Sequence, residues 1–240
     1  MRLAVISDIH GNRLAFEAVE ADIALRGADA VVNLGDLVSG PLDPVGTIDL
    51  LMERTFPTIS GNHDRYLLER PPEKLDPVDS FVAARLAPRH FDYLRSLPQT
   101  RDIEGEVFMC HGTPTSDLDP WLDSWRRGRG AVLPDEAAVS AQAEGLDFPV
   151  LLCGHTHVSR IVRLRDGRLI VNPGSVGLQF YYGAPDARYA MLERHGGRWS
   201  ASLHMVRYDW DAAAKLAVEH GFPLWHDALA TGWPGAEGLF

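Results

Sequence analysis

Near its amino terminus the chain reads Arg2-Leu3-Ala4-Val5-Ile6-Ser7-Asp8-Ile9-His10-Gly11-Asn12. The stretch begins with a short apolar run containing β-branched residues, which is typical of a buried strand, and the run ends at polar residues. Asn12 is a residue type that favours helix N-caps, and apolar residues recur after it at helical spacing until Gly27. The stretch therefore predicts a strand, a polar loop and then a helix.

The same pattern continues along the chain. A second strand is predicted at 30–34 and a helix at 45–54, and apolar runs predict further strands at 58–60, 106–110 and 149–153. Because continuous apolar strands that alternate with helices form sheets covered on both faces, we predict an α/β fold. Residues 66–97 combine proline and charge with helical apolar spacing, which predicts a helical insertion beside the sheet.

The last third of the chain changes character. Turn signals and short apolar runs predict strands at 161–164, 169–171, 189–193 and 199–206, joined as hairpins. Residues 210–240 are predicted to form a helix, at 211–220, followed by a loosely tied tail. We find no internal repeat or clear linker and expect a single domain over 1–240. We expect Trp225 and Trp233 to be exposed in this tail, which leaves self-association as a homo-oligomer open.

The composition is that of a soluble globular protein. Of the 240 residues, 45% are hydrophobic and 23% are charged, and no run approaches the length of a membrane span. No charged-then-apolar leader precedes the first strand, so a cytoplasmic location is expected. The 23 basic residues are outnumbered by 33 acidic ones, giving a formal charge of -10 that disfavours nucleic acid as a partner. Cys110 and Cys153 lie in apolar runs and are expected to be free buried thiols.

Residue types that bind metals follow five of the predicted strands. They are Asp8 and His10, Asp36, Asn62 and His63, His111, and His155 and His157. Ligands of open α/β sheets bind beyond the carboxyl ends of the strands, so these side chains are expected to meet there. Mixed nitrogen and oxygen donors without thiolate suit Mn, Fe, Co, Ni or Zn better than Ca.

The motifs Asp8-x-His10, Gly35-Asp36, Gly61-Asn62-His63-Asp64, His111-Gly112 and Gly154-His155-x-His157 resemble, in this order, the blocks of the calcineurin-like metallophosphoesterases. The later turn Asn172-Pro173-Gly174-Ser175-Val176-Gly177 resembles one in their compact bacterial and archaeal phosphodiesterase branch. The resemblance implies a two-sheet β-sandwich flanked by helices in four layers. It also implies two divalent metal ions, Mn first among the candidates, one held by Asp8, His10, Asp36 and His157 and the other by Asp36, Asn62, His111 and His155.

The resemblance further implies a reaction. A hydroxide activated by the two metals would attack a phosphodiester or a small phosphorylated metabolite, and His63 would face the phosphate and protonate the leaving oxygen. We expect Asp64 to favour the charged form of His63. We assign Asn12, Arg126 and Arg127 to substrate binding, the arginines as part of a loop with Trp121 and Trp125 that contacts the leaving group or a nucleobase. That loop could instead be a solvated turn whose tryptophans pack on the insertion helices.

Other functions stay open at this stage. The same metals would serve a phosphomonoesterase or a protein phosphatase, and some relatives with this fold act as non-catalytic scaffolds. A nuclease is a weaker alternative because the acidic chain offers no extended basic track. Ser175 has no base motif around it, so we expect a turn role rather than a nucleophile. The segment Leu178-Gln179-Phe180-Tyr181-Tyr182 departs from the more polar continuation expected after that turn.

Overall fold

The computed structural model describes residues 1–126, 130–132, 134–233 and 239, with the backbone alone at 124–126 and 130–132. Its strands are β1 (Arg2–Ile6), β2 (Ala30–Asn33), β3 (Thr100–Ile103), β4 (Val107–Cys110), β5 (Ser124–Arg126), β6 (Gly130–Val132), β7 (Val150–Leu152), β8 (Arg160–Arg163), β9 (Leu169–Asn172), β10 (Ala187–His195) and β11 (Arg198–Val206). Its α-helices are α1 (Arg13–Arg26), α2 (Pro44–Met52), α3 (Asn62–Glu69), α4 (Pro77–Ala83), α5 (Pro88–Ser96), α6 (Glu136–Gln142), α7 (Trp210–Glu219) and α8 (Trp225–Thr231).

The strands form two main sheets and a hairpin. One sheet has the order β11-β10-β1-β2, in which β1 and β2 are parallel and the other pairs are antiparallel. The other has the order β3-β4-β7-β9-β8, with a parallel centre of β4, β7 and β9 and antiparallel edges. Strands β5 and β6 pair only with each other. The carboxyl ends of the parallel strands therefore mark one edge of each main sheet.

The two main sheets pack face to face. Leu3 and Val5 of β1 share a buried cluster with Met109 of β4 and with Leu152 of β7. In a second cluster, helices pack on the outer face of the first sheet. In a third, Val139 of α6 and Ile170 of β9 are buried on the outer face of the second sheet. Burial of apolar side chains on both faces of each sheet explains the continuous apolar strands of the sequence. The α/β prediction of two sheets flanked by helices is confirmed.

Local signals set the ends of the first helix as predicted. The Asn12 side chain accepts a hydrogen bond from the Ala15 amide, and Gly27 ends α1 in the left-handed conformation. Helix α1 then buries Phe16 and Val19 against the first sheet. This places the loop between β1 and α1, which carries Asp8 and His10, at the carboxyl edge of the sheet.

The structure differs from the sequence prediction in several places, and helices α6 and α8 and the β5–β6 hairpin were not predicted. Helical structure begins at Asn62 rather than near 66, and the expected strand at 58–60 contributes one parallel bridge, from Thr58 to Asn33. Strand β3 was not predicted because its side chains are mostly exposed and follow no apolar pattern. The expectation of a loose tail is wrong for Trp225, which is 1% exposed within α8, whereas Trp233 is 55% exposed.

No helix among the described residues is long and apolar enough to span a membrane. Cys110 and Cys153 are both buried and both free, as predicted.

Replacement of Asn12 tests whether this residue is structural. Its amide also donates to the Gly177 carbonyl at 2.9 Å and to the Tyr208 hydroxyl at 3.3 Å, and the residue is 1% exposed. We expect Asn12→Ala to lower the free energy of unfolding by about 2 kcal/mol, because a cap and two further hydrogen bonds are lost. Chemical denaturation measures this change, with Asp209→Ala, which removes only the N-cap of α7, as the milder control. A loss no larger than that of the control would show that the two further bonds contribute nothing.

Candidate metal centre

All the candidate ligands lie at the same edge of the sandwich. Asp8 and His10 follow β1, Asp36 follows β2, His111 follows β4, and His155 and His157 follow β7. Asn62 and His63 begin α3, directly after the short segment that pairs with β2. The structure therefore brings together every residue that the sequence motifs singled out as a ligand.

One group of ligand atoms comes from Asp8, His10 and His157, all of them buried. The Nε2 atoms of the two histidines are 3.1 Å apart, and Asp8 Oδ1 lies 3.5 Å from His157 Nε2. Asp8 Oδ1 is a buried carboxylate oxygen with no hydrogen-bond partner among the described residues. A buried anionic oxygen beside two imidazole nitrogens fits a divalent cation.

A second group comes from Asp36, His111 and His155. Asp36 Oδ2 lies 3.2 Å from His111 Nε2, and Asn62 Oδ1 lies 3.1 Å from the same nitrogen and 3.0 Å from His155 Nδ1. Asp36 Oδ2 is also 3.9 Å from His10 Nε2 in the first group. Asp36 therefore lies between the two groups, where one carboxylate could serve two cations.

Backbone carbonyls orient three of the imidazoles. The Nδ1 atoms of His10, His111 and His157 donate to the carbonyls of Ser39, Leu34 and Leu178, at 2.7, 2.7 and 2.6 Å. In a neutral imidazole, a proton on Nδ1 leaves Nε2 as an acceptor. Such carbonyl partners are the usual outer contacts of metal-binding histidines, so the donor set fits metal ions.

The backbone is strained where these ligands sit. Six non-glycine residues of the described chain have positive φ, and five of them are ligand candidates: Asp8, His10, Asp36, His155 and His157. Only a few per cent of non-glycine residues adopt this conformation, although aspartate and histidine do so more often than most, and it costs up to about 1–3 kcal/mol. Strain concentrated on these residues indicates that their placement serves function.

Burial and neighbouring charges shift the pKa values of the candidate ligands. Burial lowers the pKa of His10 and of His155 to about 4, so both rings are neutral near pH 7. Burial would raise the pKa of Asp36, but the charges of His111 and His63 hold it well below its ordinary range. Burial raises the pKa of Asp8 to about 7, against the opposing effect of His111. Burial lowers the pKa of His111, but the charge of Asp36 raises it to about 10, so this ring is protonated near pH 7 and would release its proton on binding a cation. The neutral donors of the centre therefore include His10 and His155, beside acidic groups that a cation would stabilise.

The turn at 172–177 supports the ligand loops from behind. The Ser175 hydroxyl donates to the Asp8 carbonyl at 2.7 Å, and the Gly177 amide donates to the same oxygen at 3.0 Å. The Asn172 amide donates to the Gly154 carbonyl at 2.7 Å, next to His155. Ser175 therefore has the turn role that the sequence predicted.

His63 faces a carboxylate other than the one expected. Its Nδ1 lies 3.5 Å from Oδ1 of Asp79, which is fully buried on α4. Burial lowers the pKa of His63, but Asp36 and Asp79 raise it, and the net pKa lies above its ordinary value. Asp79 was missed because an acidic residue in the first turn of a helix is ordinary.

Asp64 has a structural place instead. Its carboxylate accepts hydrogen bonds from the backbone amides of Asp36, Leu37 and Gly61, at 2.8 to 3.0 Å. Because three backbone amides already bind the Asp64 carboxylate, Asp64 does not take the role toward His63 that we expected. Asp79 is the carboxylate that faces the His63 ring. Asp64 ties the loop of Asp36 to the loop of Asn62.

The three residues assigned to substrate binding are not seen to converge on the ligands. The side-chain amide of Asn12 already accepts a hydrogen bond from the Ala15 amide and donates to the Gly177 carbonyl and the Tyr208 hydroxyl. The side chain of Arg126 and all of Arg127 lie outside the described residues. Trp121 is 3% exposed and donates to the Val139 carbonyl of α6, so it packs on α6 and not on the insertion helices.

Comparison with known proteins decides the family. The family model described as the calcineurin-like phosphoesterase superfamily domain matches residues 1–196. The chain belongs to this superfamily. It is 27% identical, over 93% of its length and 94% of the relative, to uncharacterized protein MJ0912 of Methanocaldococcus jannaschii. The crystal structure of a metallophosphoesterase from Sphaerobacter thermophilus superposes with a TM-score of 0.78 at 27% identity, covering 97% of this chain and 99% of that one.

Gly61 offers a test of the candidate metal centre in which no candidate ligand residue is replaced. A Cβ at Gly61 would lie 2.2 Å from Asp36 Oδ1 and 2.6 Å from the Asp36 amide nitrogen. We expect Gly61→Ala to displace the Asp36 carboxylate and to weaken Mn²⁺ binding about 10- to 100-fold, as measured by titration calorimetry.

Gly145→Ala is the control for this substitution. Gly145, unlike Gly61, has a positive φ, but a Cβ there meets nothing within 4 Å. The Mn²⁺ affinity of the Gly145→Ala protein should equal that of the unsubstituted protein. A folded Gly61→Ala protein with unchanged Mn²⁺ affinity would contradict the placement of Asp36 as a ligand.

Proposed function

We propose that this protein is a binuclear metal-dependent phosphodiesterase. The observation that carries the proposal is the pair of adjacent donor groups, Asp8-His10-His157 and Asp36-His111-His155, with Asp36 between them. Membership of the calcineurin-like superfamily supports hydrolysis of a phosphoester bond. The diester preference follows from the resemblance of the turn at 172–177 to the phosphodiesterase branch.

Eight ligand positions, with Asp36 counted twice, would hold the two cations. Asp8, His10, Asp36 and His157 would hold one, and Asp36, Asn62, His111 and His155 the other. When bound, divalent cations supply Lewis acidity toward a phosphoryl oxygen and lower the pKa of water in the site. Two divalent charges would exceed the charges of Asp8 and Asp36, so the loaded centre would attract a phosphoester even though the chain as a whole carries a charge of -10. Mn is the first candidate metal, with Fe, Ni, Co and Zn as alternatives.

His63 is placed to handle the leaving group. Its backbone amide donates to Asp36 Oδ1 at 2.9 Å, and its ring lies edge-on to that of His10 with centroids 5.5 Å apart. The Asp79 carboxylate orients Nδ1 and stabilises the imidazolium. We assign the other ring nitrogen to the substrate, where it donates a proton to the departing alkoxide. Asp79 thereby acts as a positioning residue through His63.

Metal removal and reloading test the proposed activity. We expect metal-stripped protein to be inactive on bis-p-nitrophenyl phosphate and Mn²⁺ to restore hydrolysis, with slower turnover of the monoester p-nitrophenyl phosphate. Initial rates of p-nitrophenolate release, together with the metal content of each sample, measure the effect. If the protein binds two metals per chain yet cleaves neither ester with any divalent ion, a non-catalytic role is indicated. Faster cleavage of the monoester would instead indicate a phosphomonoesterase.

Substitution of His63 and Asp79 tests the acid assignment. His63→Ala should lower kcat for diesters of alkyl alcohols by about 10²- to 10⁴-fold, because proton donation to the leaving oxygen is lost, and should lower it much less for p-nitrophenyl esters. Asp79→Asn should lower kcat strongly for diesters of alkyl alcohols but only weakly for p-nitrophenyl esters, since p-nitrophenolate departs without a proton.

Asp209→Asn is the matched control, because it also replaces an aspartate near the start of a helix but lies outside the His63 cluster. Asp209 is the N-cap of α7, and asparagine can accept the same hydrogen bond from the Ala212 amide. Metal content should be unchanged in the three variants. Equal losses for both kinds of leaving group in Asp79→Asn would reject the positioning role of Asp79.

A further inference from the structure

A cavity of about 510 Å³ opens beside the second donor group. Its walls come from Gln99 and Thr100 at the start of β3 and from the loop 113–117 that follows β4, and His111 contributes to its lining. The volume lies in the range of small-molecule sites, about 300–1,000 Å³, and suits an organic group the size of a sugar.

The cavity shares one lining residue with the candidate metal centre and is joined to it by backbone contacts. His111 belongs to both, and the Ser60 amide, two residues before Asn62, donates to the carbonyl of Pro98 at 2.8 Å. Strand β3 pairs with β4 so that Thr100 lies opposite Cys110, which directly precedes His111. A phosphorus atom held at the donor groups would therefore have the cavity next to it.

The lining is polar and close to neutral. Five of the described lining residues carry hydroxyl or amide groups: Gln99, Thr100, Thr113, Thr115 and Ser116. The charged lining residue other than His111 is Asp117, whose two oxygens accept hydrogen bonds from Arg65 at 2.6 and 2.8 Å. The described lining contains no Phe, Tyr or Trp for stacking a base and no Lys or Arg for a second phosphate.

The loop is internally fixed and leaves donors available. Thr113 and Ser116 form a bridge, and the Ser116 hydroxyl accepts from the amides of Leu118 and Asp119. The side chains of Gln99, Thr100 and Thr115 make no hydrogen bond with other described residues and are exposed. A loop fixed by its own hydrogen bonds, with hydroxyl and amide groups available beside it, matches a ligand that carries several hydroxyl groups.

We propose that this cavity binds the organic part of the substrate and that this part is a neutral, polyhydroxylated group, a sugar or a polyol. The proposal rests on the proposed phosphodiesterase function, because it locates the phosphoester at the adjacent donor groups. Thr115 and Gln99 are its specificity-determining residues. The competing surface is the aromatic segment near His157, where Phe180 stacks on the imidazole at 4.7 Å, and it would favour an aryl group.

Binding of phosphonates, which lack the scissile ester bond, tests the specificity apart from turnover. Titration calorimetry with the Mn²⁺-loaded protein compares 3,4-dihydroxybutylphosphonate, n-butylphosphonate and benzylphosphonate. The first two differ only by two hydroxyl groups. We expect the dihydroxy compound to bind about tenfold more tightly than the butyl compound, as two hydrogen bonds allow.

Variants locate the preference in the cavity. Thr115→Val and Gln99→Met should each reduce the preference for the dihydroxy compound severalfold. Thr55→Val, an exposed threonine that does not line the cavity, should keep it. Equal affinities of the dihydroxy and butyl compounds, or a preference that survives both cavity variants, would overturn the proposal. Tightest binding of benzylphosphonate would overturn it in favour of the aromatic segment.

The outcome is separable from that of the proposed function. Hydrolysis of bis-p-nitrophenyl phosphate without a hydroxyl preference rejects the cavity assignment alone. A hydroxyl preference in a protein that hydrolyses no ester supports the cavity and rejects the catalytic function.

Discussion

Two carboxylates, Asp8 and Asp36, are buried at one edge of the sandwich, and the structure around them is organised by the need to compensate their charge. Both are at most 1% exposed. An uncompensated buried carboxylate is strongly unfavourable, so each needs cations or hydrogen-bond donors. Backbone amides provide part of this compensation, since the His155 amide donates to the Asp8 carboxylate and the His63 amide donates to the Asp36 carboxylate. The imidazoles and, when bound, the metal ions provide the rest.

That requirement explains features that look unrelated in the sequence. The strained backbone at the ligand residues brings side chains from separate strands to a common point. Asp64 braces two of the ligand loops through backbone amides, and Gly61 leaves room for Asp36. Residues that the motif groups together thus divide into ligands and supports, which sequence adjacency does not distinguish.

The sequence predicted the ligand edge well because its signals are local. Each candidate ligand except Asn62 follows an apolar strand, and strand ends of parallel sheets meet at one edge whatever the rest of the chain does. The caps of α1 were predictable for the same reason. The roles of Asp79 and Trp225 were not predictable, because their environments depend on contacts between elements that the sequence pattern does not encode. Asp79 meets His63 across two helices, and Trp225 is enclosed by packing within the helical face and by a hydrogen bond to the Leu239 carbonyl.

The turn at 172–177 has a consequence for how the protein assembles. Ser175 holds the carbonyl of Asp8 across a separation of 167 residues, and Asn12 reaches Gly177 across 165. Contacts of such long range close large loops and form slowly in a folding chain. During synthesis the first strand emerges long before this support, so the hydrogen bonds from the turn to the β1–α1 loop can form only after residue 177 has been made. A chain that ends before this turn would carry every candidate ligand residue but lack these hydrogen bonds.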